Sequence, residues 1–163
     1  PNDSSGVVEL KLSRGTAGRI LDGDIVIVGR DIVGRIARVG MTRVELLPTS
    51  HKDSGFIRAG IVPSHPLHGG RPPLLDEILL QPRGDGYLTA EISSKKDVQE
   101  NDLVVLDDPA WSISGNGLVL GIVTSITPLD EAPLRKIVTV TRRQRAREHA
   151  GVVVLGTGDG ESQ

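Results

Sequence analysis

The sequence predicts an all-β protein of two small lobes, and three observations carry that expectation. The apolar residues are mostly Val, Ile and Leu, with Phe56, Tyr87 and Trp111 the only aromatic side chains. Such a core is made of branched aliphatics, which suit a pleated surface. Twenty Gly and ten Pro are spread along the chain, a density that fits short strands joined by tight turns and leaves little room for long helices. The third observation is a degenerate internal repeat, set out below.

The first patterned segment runs from Val7 to Leu47. Val7 to Leu12, Ile25 to Val28, Ile32 to Val39 and Val44 to Leu47 are apolar runs of strand length, separated by turn signals such as Arg14-Gly15. Alternation along Ile32 to Val39 is imperfect, as expected where both faces of a strand are partly covered or the sheet closes into a barrel. Gly34 in its middle predicts a bulge or a bend. Between Val62 and Gly86 the composition shifts to Pro63, Pro66, Gly69, Gly70, Pro72, Pro73, Pro82, Gly84 and Gly86. This stretch reads as a connector, and its apolar part, Leu74 to Leu80, is too short for periodicity to decide between a helical turn and a strand.

The second patterned segment, from Leu88 to Leu155, repeats the first. Ile20-Leu21-Asp22-Gly23-Asp24-Ile25-Val26-Ile27 is followed by Ile32-Val33-Gly34-Arg35-Ile36. Val98-Gln99-Glu100-Asn101-Asp102-Leu103-Val104-Val105 is followed by Leu118-Val119-Leu120-Gly121-Ile122-Val123. Each copy places an Asp at a polar turn before an apolar strand, then a loop, then a strand with Gly inside it. Duplication of such a unit predicts two similar lobes. Residues 1–62 are assigned to the first lobe, 63–86 to the connector and 87–156 to the second lobe, with terminal strands free to cross between them. Ile137 to Thr141 and Val152 to Leu155 are further expected strands. Arg142 to His149 is expected to be a solvated helix or turn, and residues 157–163 a polar, Gly-rich tail without order.

The formal net charge of −2 supplies no electrostatic reason for a nucleic-acid partner. Without cysteine there is no thiol nucleophile, disulfide framework or thiolate metal site, and the redox compartment stays open. No apolar run approaches the ~18 residues of a membrane span. A chain beginning at Pro1 is expected to be part of something longer.

Candidate chemistry is sparse. Lys52-Asp53-Ser54-Gly55-Phe56 resembles the surroundings of a serine protease nucleophile, but a chymotrypsin-type triad needs a base and an orienting carboxylate upstream of the Ser. The one upstream His is His51; His65 and His68 follow, an order other triads use. A turn before a strand beginning at Phe56 accounts for the same residues. His51, Asp53, His65 and His68 could ligate zinc, yet the two later histidines lie in a Pro/Gly-rich loop that presets no geometry. Arg142, Arg143, Arg145 and Arg147, with Arg135 and Lys136, form a basic patch open to phosphate or anionic lipid contact, at about 1 kcal/mol per cation; a solvated turn is the plainer account. Gly156 to Gly160 is followed by no helix and is not a dinucleotide fingerprint, and Asp107-Asp108-Pro109 reads as a turn. The chain is therefore expected to be no enzyme and to bind no cofactor or metal. The alternatives are a trypsin-like hydrolase using Ser54, or a small metal- or ligand-binding β-module at His51, His65 and His68.

Leu12 to Val28, Asp31 to Val39 and Arg43 to Pro48, followed in order by Val98 to Val105, Leu118 to Val123 and Val152 to Leu155, together resemble the extracytoplasmic core of MreC, the bacterial rod shape-determining family. The likeness lies in the collinear set of Gly-bearing strands and Asp turns and covers the chain from about Val7 to Leu155. Two places depart from the family: Asp107 to Gly117 replaces its Ser-Gly-Leu-Gly-Gly loop and Phe-Pro step, and Asn101 stands for its Gly. The resemblance implies two β-barrels arranged distantly like a chymotrypsin-type protease lacking its active site. It also implies a domain on the outer side of the cytoplasmic membrane, periplasmic or extracytoplasmic, anchored by an N-terminal helix and coiled coil absent from this sequence. The implied role is non-catalytic scaffolding of cell-wall elongation. The implied partners are a second copy of the chain, as dimer or filament, a penicillin-binding transpeptidase, its polymerase partner and the membrane protein MreD.

Overall fold

The computed structural model describes residues 6–11, 20–65, 73–111, 113–143 and 153–155. In chain order the strands are β1 (Val8–Lys11), β2 (Ile25–Val28), β3 (Asp31–Val39), β4 (Arg43–Pro48), β5 (Ile57–Val62), β6 (Asp76–Pro82), β7 (Tyr87–Ser93), β8 (Leu103–Leu106), β9 (Val119–Pro128), β10 (Arg135–Thr141) and β11 (Val153–Leu155). Two short 3-10 turns, Lys52–Ser54 and Ile113–Gly115, are the only helical elements among the described residues. The protein is all-β.

Six consecutive strands close on themselves. Antiparallel pairing runs β5–β6–β7–β10–β9–β8 and returns from β8 to β5, so the barrel is built from one uninterrupted stretch of chain, residues 57–141. The remaining strands form an antiparallel sheet in the order β1-β4-β3-β2-β11. Among the described residues one parallel bridge, Asp31 beside Val119, joins this sheet to the barrel.

The partition of strands differs from the sequence-based one. Ile57 to Val62 was expected in the first lobe, and residues 63–86 as a connector; β5 and β6 are both staves of the barrel. β6 shows the reason, since its exposure alternates with Ile78 and Leu80 inside and Leu79 and Gln81 outside, a period of two that only a barrel partner makes visible. β11, at the far end of the chain, lies in the first lobe against β2.

The repeat is reproduced at the level of single hydrogen bonds. Leu21 N–H donates to Asp24 Oδ2 at 2.8 Å, and Gln99 N–H donates to Asp102 Oδ2 at 2.8 Å. Gly23 N–H reaches the Ile36 carbonyl at 2.7 Å and Asn101 N–H the Val123 carbonyl at 2.8 Å; Ile36 and Val123 N–H return bonds to the Asp24 and Asp102 carbonyls at 2.8 and 2.9 Å. Gly23 and Asn101 both sit at positive φ, +91° and +72°, a region Gly enters freely and Asn tolerates. Gly34 opposes Val26, and Gly121 opposes Val104, each beside a register shift. A Cβ on Gly34 would drive into the Leu47 carbonyl, and one on Gly121 into that of Thr141. Further along, Ala37 and Thr124 are the extra residues of two equivalent bulges.

Two apolar cores result. The larger fills the barrel and takes in Ile25, Ile27 and Ile32 of the first lobe; the smaller holds Ile20, Val26, Ile36, Val44 and Leu46. β2 is a wall common to both, which explains why Ile25-Val26-Ile27 is apolar without alternation. Polar contacts reinforce the junction. Arg143, just past β10, donates to Asp31 Oδ1 from Nε at 2.8 Å and from Nη2 at 2.5 Å. Arg35 lies 5.3 Å from the centre of the Trp111 ring and donates to the Ser54 carbonyl at 3.3 Å. The loop carrying Trp111 also brings Gly115 so close to Ile25 that a Cβ there would collide with its Cδ1.

Candidate functional site

The residues considered for hydrolysis are placed as parts of a turn. Ser54 is 4% exposed, and its Oγ donates to the Pro48 carbonyl at 2.7 Å. His51 caps the same 3-10 turn, its Nδ1 accepting from Asp53 N–H at 3.1 Å, while the Ser54 N–H bonds to the His51 carbonyl at 2.9 Å. A nucleophile needs a hydrogen bond from its hydroxyl to a base; here the hydroxyl proton goes to a backbone carbonyl. His65 is exposed and within 3.0 Å of Ser64 Oγ, and His68 lies outside the described residues. Among the described residues no three His, Asp or Glu side chains gather as a metal cluster. Asp108 opens a turn, accepting from Arg58 N–H at 2.9 Å and Ala110 N–H at 2.9 Å, while Asp107 N–H donates to the Arg58 carbonyl at 3.2 Å. Of the basic stretch, Arg142 is exposed and Arg143 is committed to Asp31; Arg145, Arg147 and residues 157–163 lie outside the described residues.

The feature with the character of a binding surface is on the outside of the barrel, where sequence reading assigned no site. A groove is lined by Phe56, Leu79, Gln81, Arg83, Thr89, Ala90, Glu91 and Ile137. The alternation that sends Ile78, Leu80, Leu88, Ala90 and Val138 inward turns Leu79, Gln81, Thr89, Glu91 and Ile137 outward. Phe56 and Leu79 are 60% and 53% exposed, large apolar side chains that share this face with the half-buried Ile137 and with polar and charged neighbours. Arg83 Nε donates to Thr89 Oγ1 at 2.8 Å and Arg135 pairs with Glu91 at 3.1 Å. Arg58, directly opposite Leu79 on β5, is also exposed. Apolar side chains ringed by charge are also the composition of many protein contact surfaces.

No protein-family model matches the sequence, and no curated protein matches it. Solved structures do. The chain is similar to MreC from Pseudomonas aeruginosa, with a TM-score of 0.69 at 13% identity over 95% of this chain and 92% of that one. Its fold is that of MreC. MreC from Listeria monocytogenes is similar with a TM-score of 0.64 at 11% identity, covering 94% of this chain and 69% of the other. A third neighbour is the complex between penicillin-binding protein PBP2 and MreC from Helicobacter pylori, TM-score 0.56 at 13% identity, covering 93% and 87%. The closed barrel and flanking sheet described above are thus the MreC architecture, reached with few shared residues. No helix among the described residues is long and apolar enough to cross a membrane.

Proposed function

We propose that this chain is a non-catalytic scaffold of bacterial cell-wall elongation, working on the outer side of the cytoplasmic membrane. The observation that carries the reading is the MreC fold over 95% of the chain, together with the existence of an MreC neighbour in complex with a penicillin-binding protein. On this reading the chain self-associates and binds a penicillin-binding transpeptidase, with that enzyme's polymerase partner and MreD as further contacts. The Ser54 hydroxyl held on the Pro48 carbonyl supports a structural part for that residue.

Purified chain titrated against the ectodomain of its own organism's elongation transpeptidase is expected to form a complex. Sedimentation over a range of concentrations is expected to reveal self-association. A chain that is monomeric throughout and does not bind the transpeptidase would overturn the proposal. Covalent labelling by a fluorophosphonate, abolished in Ser54→Ala, would replace it with a hydrolase.

A further inference from the structure

The repeat makes one strand of the first lobe the counterpart of one stave of the barrel. Asp24 and Asp102 hold matching turns, so Ile25, Val26 and Ile27 of β2 correspond to Leu103, Val104 and Val105 of β8. The ladders agree: Ile25 pairs with Arg35 and Val26 with Gly34, Leu103 with Ile122 and Val104 with Gly121. Val26 faces the smaller core, and Val104 the interior of the barrel. On the opposite face the copies part. Ile25 and Ile27 are 0% and 8% exposed, packed where the lobes meet, and Arg35 beside them reaches over Trp111. Their counterparts Leu103, Val105 and Ile122 point away from the barrel core and are only half-buried. Leu74, 51% exposed, joins them: a Cβ on Gly60, the residue paired with Val105, would meet Leu74 Cδ1 at 2.6 Å and Val105 Cγ2 at 3.7 Å.

We propose that this outer face of β5, β8 and β9 binds a second copy of the chain, patch against patch about a two-fold axis. Strands that are apolar on both sides belong between two packed layers. β2 meets that condition within the chain; β8, among the described residues, has a core on one side only. What fits such a face is shown by its counterpart, since Ile25 and Ile27 lie among Val, Ile and Leu side chains of this same chain. A second copy brings that set, and in a two-fold contact one patch supplies both sides. Ile122 stands where the first lobe has Arg35, so Leu74, Leu103, Val105 and Ile122 bring no like charges against their own copies. The inference rests on the scaffold reading for the self-association itself and gives that self-association a surface.

Sedimentation equilibrium of the intact chain is expected to give a dimer. Val105→Lys, which puts a charge into the contact, is expected to raise the dissociation constant by about tenfold or more, and Leu79→Lys, in the outer groove, to leave it unchanged. Val105→Cys is a milder change and would be the only cysteine in the chain. Mild oxidation is expected to link that variant into a covalent dimer and to leave Leu79→Cys monomeric, which decides the matter even where Val105→Lys fails to fold. A monomeric wild-type chain, undiminished association in folded Val105→Lys, or equal cross-linking through Leu79→Cys would each overturn the proposal. So would a monomeric chain that loses transpeptidase binding in Val105→Lys, a result that gives the face to the enzyme. Transpeptidase binding with association indifferent to Val105→Lys would remove this surface and leave the functional reading standing. A dimer that depends on Val105 yet binds no transpeptidase would do the reverse.

Discussion

The two copies of the repeat begin alike and end differently. Around Asp24 and around Asp102 the same turn, the same reciprocal carbonyl bonds and the same close approach at a Gly recur. One copy continues into a closed barrel of six strands; the other, among the described residues, is part of a five-stranded sheet that leans on that barrel. The local device therefore fixes how two strands meet and does not decide whether a sheet closes. Closure comes from β5, β6 and β7, which have no place in the duplicated motif. They also supply Ile57, Ile61, Leu80 and Leu88, side chains of the larger core that are at most 1% exposed.

Matched substitutions in the two copies test whether the device carries equal weight in both. The largest effect is expected from Gly34→Ala and Gly121→Ala, each about 3 kcal/mol of destabilisation, because the added methyl meets a ladder carbonyl that cannot move without breaking its pairing. Urea unfolding measures both, and a gap well beyond ~1 kcal/mol would show that the copies are not energetically alike. Arg143→Ala removes two hydrogen bonds to the buried Asp31 carboxylate that tie barrel to sheet; the expected cost is about 2 kcal/mol. If the two regions unfold as one unit, that variant keeps a single calorimetric transition. Two transitions would reveal the sheet as separable despite the core it shares through Ile25, Ile27 and Ile32.

Asp24→Ala and Asp102→Ala each strand a main-chain N–H, that of Leu21 or Gln99, at an expected cost of about 1–2 kcal/mol. Asp102 also accepts from Ser64 N–H at 3.3 Å, a bond that its replacement removes as well. The smallest effect belongs to Asn101→Gly, expected to stabilise by about 0.5 kcal/mol by relieving a side chain at positive φ. A thermal melt showing destabilisation instead would mean that the Asn side chain contributes to the turn.

These pairs were legible in the sequence because a capping carboxylate and a Gly under a carbonyl are local demands on residue type. Strand membership was harder to read. Whether Ile57 to Val62 joins the first sheet or the barrel depends on partners at Ile78 and Val104, which no short window contains. Arg143 and Asp31 meet across 112 residues of chain, so nothing in the basic run marked Arg143 as an internal tie. The outer groove stayed hidden for a similar reason. Phe56, Leu79 and Ile137 come from three distant segments, and each alone reads as an ordinary strand residue. Ser54 was read as part of a turn, since an Asp-Ser-Gly run before an apolar strand carries that signal by itself, whereas His51, which caps the turn, was considered only as a base or a metal ligand.

The unbroken run of the barrel through residues 57–141 has a consequence for how the molecule is made. A chain emerging from its N-terminus presents β1 to β4 first, then all six staves, and only afterwards β11, the strand that covers the open edge of β2. The barrel has every partner it needs before synthesis reaches that last strand, and the earlier-made sheet does not. During that interval β2 is an uncovered edge, a site where neighbouring nascent chains can pair by mistake.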